Sequence, residues 1–338
     1  MIRPEKIKKG DVFAVTAVSD GVGDELDKIR FENAKKTLEK KGYGVTFTPD
    51  VFTVREMGKS ASGRQRADEF NALFNQDNVS YIVSAKGGNF LNEMMEFVDF
   101  EKISHNPKWF QGYSDNTWLV NTITTKCDVM SIYGSNFGEY GMDIWHKSVD
   151  DNLKLVEGED IVQHSFDKYQ ENFSERITGL EGYTEDKDVL LSCSVKSEDA
   201  VEFSGRLIGG CLDVLVLIQG TKYDYVEQFV YKYADDGIIW YLESFDFSGE
   251  NLIMQLWKLK ESGWFRNVKG IVFGRPLFFR EAFDMSYEET VMYAIGELDV
   301  PVIFDADIGH KGPRFAVING AKAKVSYKDS RMSLKYLS

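Results

Sequence analysis

Over its first 134 residues the chain alternates short β-rich apolar runs with stretches of helical periodicity, and that alternation limits its fold more than any other feature. Residues 11–19, 44–49 and 80–85 read as strands, rich in Val, Ile, Thr, Phe and Tyr and closed by Ser, Asp, Gly or Pro. Residues 26–41, closed by Gly42, and residues 62–75 read as helices, and residues 90–98 as a further helix-like stretch. Residues 129–134 add another strand. Strands that alternate with helices build a parallel, doubly wound sheet, and such sheets gather ligands beyond the carboxyl ends of their strands.

The loops after the strands are therefore where chemistry is expected. The third strand ends at Lys86-Gly87-Gly88-Asn89. Paired glycines there either bring bare backbone N–H groups close to a ligand or simply make a left-handed turn. Further on, Lys108-Trp-Phe-Gln-Gly-Tyr-Ser114-Asp115-Asn116-Thr117-Trp118 runs from strand through a sharp turn into a helix. That arrangement lifts a serine hydroxyl out of a sheet beside the N–H groups of a helix start. Gly112 stands two residues before Ser114, but Asn116 occupies the place of the second Gly in G-x-S-x-G. Ser114 is thus either a nucleophile or part of an ordinary Ser/Asp helix cap.

From about residue 139 to 202 the pattern weakens, and charged and polar residues dominate 147–160 and 167–188. This stretch reads as a linker with a lid or long loop. Its aromatic residues Phe166, Tyr169, Phe173 and Tyr183 either face a substrate or pack beneath the loop. A second unit starts near residue 203, with a helix at 211–219, strands at 237–243, 268–274 and 301–305, and helices at 247–262 and 287–298. Residues 315–318 and 323–327 read as an antiparallel hairpin that closes the fold. The expected organisation is an N-terminal α/β domain carrying the Ser114 turn (1–150), a linker and lid loop (151–202) and a second α/β unit (203–338).

Charge and cysteine usage exclude several function classes. A formal net charge of −14 repels phosphate backbones and anionic lipid, so no nucleic-acid or membrane partner is expected. No run approaches the ~18 apolar residues of a membrane span. Cys127, Cys193 and Cys211 are far apart with no C-x-x-C spacing, so neither a disulfide framework nor a zinc site is expected. The polar start, MIRPEKIKKGDVF, does not read as a signal peptide, and the expected location is the cytoplasm.

Amide hydrolysis by a serine needs a base for its proton and a carboxylate to orient that base. Of the four histidines, His105 precedes Asn-Pro, and His146 and His164 fall in the charged stretch. His310 alone lies in a Gly-flanked turn after a buried strand, either as a base or as a structural residue. Glu243 closes an apolar strand, where it is either paired or exposed at the strand end. Ser, acid and His follow one another in an order that hydrolases use. The N–H groups of Asp115 and Gly88 are the candidate oxyanion donors. Lys86, Lys311 and Arg314, with Gly87, are candidates by position for binding a substrate, the alternative being solvated surface charge.

Taken together, these residues resemble the serine LD-carboxypeptidases, a family that includes the microcin C immunity proteins. The resemblance runs nearly end to end: Pro4 and Lys9-Gly10-Asp11, Arg66, Gly87-Gly88, Asn106 through Asp115, Gly209-Gly210, Leu242-Glu243 and Gly309-His310. It implies a β-rich C-terminal α/β domain that brings Glu243 and His310 across an interface to Ser114 on the nucleophile domain, a Ser114–His310–Glu243 triad with an oxyanion hole at Gly88 and Asp115, no metal or cofactor, and a cytoplasmic homodimer. It also implies a substrate cut near a free carboxylate, either a murein peptide ending in D-Ala or an aminoacyl- or peptidyl-nucleotide amide. The alternatives are a cytoplasmic serine esterase or amidase, or a non-catalytic ligand-binding homologue. Cys211 stands where Asn is usual in the family, and the loop between Trp145 and Trp240 has no indole with which to stack on a nucleobase.

Overall fold

The structure is a computed structural model that describes residues 1–173 and 175–337. The chain forms two compact units. Met1–Asp160, Phe173–Thr184 and Ala316–Ile318 make the first; Ile161–Asn172, Glu185–Phe315 and Asn319–Ser338 make the second.

The first unit runs β1 (Val12–Thr16), α1 (Glu25–Lys40), β2 (Gly44–Phe47), α2 (Gly63–Leu73), β3 (Val79–Ser84), α3 (Phe100–His105), β4 (Trp109–Gly112), α4 (Thr117–Cys127), β5 (Ser131–Tyr133) and α5 (Lys147–Val156). Local chemistry sets the helix starts: Asp24 accepts the Leu26 N–H at 2.9 Å ahead of α1, and Ser62 accepts that of Gln65 at 3.3 Å ahead of α2. Consecutive residues Tyr81, Ile82 and Val83 are all fully buried, so both faces of β3 are covered. The strands β1 to β5 pair in parallel in the order β2-β1-β3-β4-β5, with a late strand, Val317–Asn319, beyond β5. The direction of winding reverses between β1 and β3, and in sheets of this kind ligands bind at the carboxyl edge beside such a reversal.

The second unit holds β6 (Val162–His164), β7 (Lys168–Tyr169), β8 (Lys187–Asp188), β9 (Ser192–Cys193), β10 (Val201–Cys211), α6 (Leu212–Ile218), α7 (Val226–Lys232), β11 (Ile238–Glu243), α8 (Gly249–Glu261), β12 (Val268–Gly274), α9 (Tyr287–Ile295) and β13 (Val302–Ala306). After the late strand, β14, come β15 (Lys322–Lys328) and β16 (Arg331–Tyr336). Its eight-stranded sheet has the order β6-β16-β15-β10-β11-β12-β13-β9. The strands β10 to β13 are parallel, and the flanking pairs are antiparallel. All six residues of β11 are buried, with Trp240 stacked on Trp264 at 5.6 Å. The molecule is therefore mixed α/β with parallel sheets in both units.

Three local expectations change. The closing hairpin is not 315–318 with 323–327, because β14 joins the first sheet while β15 pairs with β16. Its two-residue turn, Asp329-Ser330, takes positive φ at both positions (50° and 58°), as a right-twisted hairpin requires. The helix expected over 90–98 is a short 3₁₀ segment, Leu91–Phe97. The weakly patterned stretch after residue 139 carries α5, whose residues Val149, Leu153, Leu155 and Val156 are buried, together with the edge strands β6 and β9.

Candidate active site

The serine turn is strained. Ser114 follows β4 with φ of +65°, a left-handed conformation that costs a non-glycine residue free energy. The cap position of α4 belongs to Asn116, not to Ser114 or Asp115. A Cβ at Gly112 would stand 2.7 Å from the Asn116 side chain, so the glycine is what lets the turn close. The Asn116 amide in turn donates to the carbonyls of Tyr113 (2.9 Å) and Lys86 (3.2 Å), which ties the turn to the loop after β3. Gly87 lies against the serine: a Cβ there would be 3.0 Å from Ser114 Cβ and 3.2 Å from its Oγ. The Asp115 carboxylate points inward and accepts bonds from the Ser19 hydroxyl and the Leu91 N–H.

In the second unit, β11 delivers Glu243 fully buried at its carboxyl end. His310 Nδ1 lies 2.9 Å from Glu243 Oε2. A buried carboxylate at Nδ1 selects the tautomer with the proton on that nitrogen, which leaves Nε2 as a proton acceptor. The backbone is shaped for the contact, since Gly309 has φ of +100° and a Cβ there would stand 2.6 Å from Glu243 Cγ. The Arg314 Nε donates to the Gly309 carbonyl at 2.7 Å, and its Nη2 reaches the His310 carbonyl at 3.4 Å. Phe245 packs against the imidazole with ring centroids 4.9 Å apart. Asp213 accepts the N–H groups of Phe245 (2.8 Å) and Asp246 (2.9 Å), fixing the turn after Glu243. Burial, and then the charge of Glu243, pushes the Cys211 thiol well above its ordinary range, so Cys211 stays an uncharged thiol beside the carboxylate. The approach to His310 is held by Asp307, fully buried, which pairs with Arg275 at 2.7 Å and accepts the Phe166 N–H at 3.1 Å.

The three candidate cations all have protein partners. Lys86 pairs with Asp27 at 3.0 Å, and Lys311 with Glu171 at 2.6 Å. Burial tends to raise the Asp27 carboxyl, but Lys86 and Arg176 hold it below the usual range. Arg314 is buried against its own loop. Among the loop aromatics, Phe166 packs on Phe315 (5.6 Å), Tyr169 lies under Arg275 (4.2 Å) and Tyr183 donates to Glu139 (2.6 Å), whereas Phe173 is exposed. Of the other histidines, His105 sits at the Glu101 carbonyl, His146 caps α5, and His164 lies exposed in β6. Sequence reasoning passed over Ser19, Asp20, Asp213, Arg275 and Asp307. The Ser-Asp-Gly run directly after β1 was the available signal for the first two. Among the described residues no group of three or more His, Cys, Asp or Glu side chains could hold a metal ion, and no helix is long and apolar enough to cross a membrane.

Comparison with known proteins shows the family of the chain. Residues 13–134 match the LD-carboxypeptidase N-terminal domain and residues 204–325 the LD-carboxypeptidase C-terminal domain. YocD of Bacillus subtilis (strain 168), which bears a carboxypeptidase name, is 26% identical over 326 residues, 91% of each chain. The microcin C7 self-immunity protein MccF of Escherichia coli is 25% identical over 326 residues, covering 92% of this chain and 90% of that protein. A solved structure of MccF in complex with aspartyl sulfamoyl adenosine superposes with a TM-score of 0.81 over 100% of both chains at 22% identity, a likeness of fold.

Proposed function

The chain belongs to the LD-carboxypeptidase family and is a serine-type carboxypeptidase, and we propose that Ser114, His310 and Glu243 are its catalytic triad. The observation that carries this reading is the left-handed φ of +65° at Ser114, on a strand-to-helix turn with a glycine loop against its hydroxyl. The buried His310–Glu243 pair supplies a base with an oriented proton acceptor.

In this reading the Ser114 hydroxyl attacks an amide carbonyl carbon while His310 Nε2 takes its proton. Glu243 stabilises the imidazolium through Nδ1–H. The carbonyl oxygen becomes an oxyanion held by the backbone N–H groups of Gly88 and Asp115. Collapse breaks the C–N bond, His310 returns the proton to the leaving amine, and an ester to Ser114 remains. Water, deprotonated by His310, then releases the acid and restores the serine. The substrate presents a free carboxylate near the scissile bond. It is either a murein peptide or, as with the aspartyl sulfamoyl adenosine bound by MccF, an aminoacyl- or peptidyl-nucleotide. The proposal includes a cytoplasmic setting, in keeping with three cysteines that form no disulfide, and a homodimeric state, taken from the family resemblance.

A mass-spectrometric cleavage assay tests this. A murein tetrapeptide ending in D-Ala and an aminoacyl-nucleotide amide are offered side by side, with Ser114→Ala as control. Loss of D-Ala alone assigns murein peptides, and cleavage of the amide assigns the nucleotide class. Wild-type turnover in Ser114→Ala, or cleavage of neither substrate, overturns the reading.

A further inference from the structure

The chain order of the first sheet sends β1 and β3 in opposite winding directions, and the loops that leave them flank the serine turn after β4. One side chain connects all three. Asp115 is only 3% exposed, and its Oδ2 accepts both the Ser19 hydroxyl, from the loop after β1, and the Leu91 N–H at 2.9 Å, from the loop after β3. The Phe90 backbone also donates toward this carboxylate. Arg66 lies alongside, donating to the carbonyls of Val18 (2.9 Å) and Phe90 (3.0 Å) from the same two loops, and its charge offsets those of Asp115 and Asp20. The Gly87 carbonyl accepts the Asp20 N–H at 3.2 Å. Gly88 is gripped so closely that a Cβ would stand 2.3 Å from Asp20 Oδ1 and 2.4 Å from Ser19 Oγ.

We propose that the Asp115 side chain is a positioning residue for oxyanion stabilisation: it clasps Ser19 and Leu91 and so fixes the Gly87-Gly88 turn against Ser114. The inference rests on the reading of Ser114 as nucleophile. Its physical basis is that oxyanion donors contribute most when they are held in place before charge develops. The backbone N–H of Asp115 and that of Gly88 belong to different loops, and the Asp115 carboxylate joins those loops together with the Asn116 amide, adding the loop after β1 that Asn116 does not reach. An amide replaces it poorly. The one oxygen of asparagine serves the Ser19 and Leu91 donors without taking a third, and the charge opposite Arg66 is lost.

The test follows phosphonylation of the full chain by an aryl fluorophosphonate, which reports an activated serine without requiring the natural substrate. Asp115→Asn is expected to lower kinact by about tenfold or more while KI stays within about twofold. A defect confined to general packing would not produce that split. Ser19→Ala, which deletes one hydroxyl of the clasp, is expected to lower kinact about threefold and carries the test if Asp115→Asn shows no cooperative unfolding transition. Unchanged kinact in Ser19→Ala and in any folded Asp115→Asn overturns the proposal. Ser114→Ala is run in parallel. Loss of labelling there with wild-type kinact in Asp115→Asn sinks the positioning role alone. Wild-type labelling in Ser114→Ala, or a native chain that resists the probe, sinks the nucleophile reading and this inference with it.

Discussion

His310 Nδ1 stands 2.9 Å from Oε2 of a Glu243 carboxylate that has no solvent exposure. In so dry a place the carboxylate holds the ring by one charge-assisted bond and stabilises positive charge on it. Glu243→Gln keeps the volume but removes that charge and presents an amide that can also donate. It is expected to lower kcat by roughly 10²–10⁴-fold with KM little changed. Steady-state kinetics on whichever substrate is cleaved check this, and a kcat within about threefold of wild type would contradict the assigned role.

Arg314 acts on the same imidazole from the backbone side. Its fork spans the carbonyls of Gly309 and His310, with bonds of 2.7 and 3.4 Å. Lysine keeps the charge but loses the planar pair of donors. Arg314→Lys is expected to retain the fold and lose about tenfold in kcat. Kinetics combined with a thermal melt separate this from unfolding.

Gly87 gives a complementary test in the other unit. A Cβ placed 3.0 Å from Ser114 Cβ demands a shift of a few tenths of an ångström at the nucleophile. Gly87→Ala is therefore expected to cost about 1 kcal/mol or less in urea unfolding while reducing kcat about tenfold or more. A variant with full activity would show that the serine turn yields without consequence.

The pH dependence of stability offers a fourth test at Asp213. Burial raises its carboxyl above the ordinary range, against the bonds it accepts from Phe245 and Asp246. A folded-state value above the unfolded one means that the native state binds protons more readily. The contribution to stability is then fully present below the unfolded value of about 3.9 and is lost as pH rises through the folded value. In Asp213→Asn this loss disappears. The difference in urea-unfolding free energy, variant minus wild type, is expected to rise with pH from about 4 until the folded-state carboxyl is ionised. A pH-independent difference would remove Asp213 as the source.

The parts of the molecule most legible in sequence were those where local pattern and burial agree. β3 and β11 are covered on both faces, so they appear as near-continuous apolar runs, and Glu243 stands out because it ends one. His310 stood out by its Gly-flanked place among four histidines. The helix α5 was hidden because Lys147, Asp150, Asp151 and Lys154 mask a stripe of Val149, Leu153 and Val156 spaced four and three residues apart. The β15–β16 turn uses Asp329-Ser330, without the glycine that marks most such turns. The clasp of Asp115 on Ser19 spans 96 residues and depends on strand order, which no local pattern encodes. The partners of Lys86 and Lys311 escaped notice for the same reason.

The late strand Val317–Asn319 has a consequence for how the protein is made. The five strands it joins are all complete by residue 133, yet the edge strand follows more than half a chain later. At about 5–20 residues per second, a ribosome needs on the order of ten seconds or more to bridge that gap. Throughout that interval the outer edge of β5 offers unpaired backbone groups to any neighbouring nascent chain. Chains stopped at residue 315 are expected to sediment as aggregates where the full-length product stays in the supernatant. On this expectation, a three-residue strand encoded far downstream decides how long the outer edge of β5 stays open.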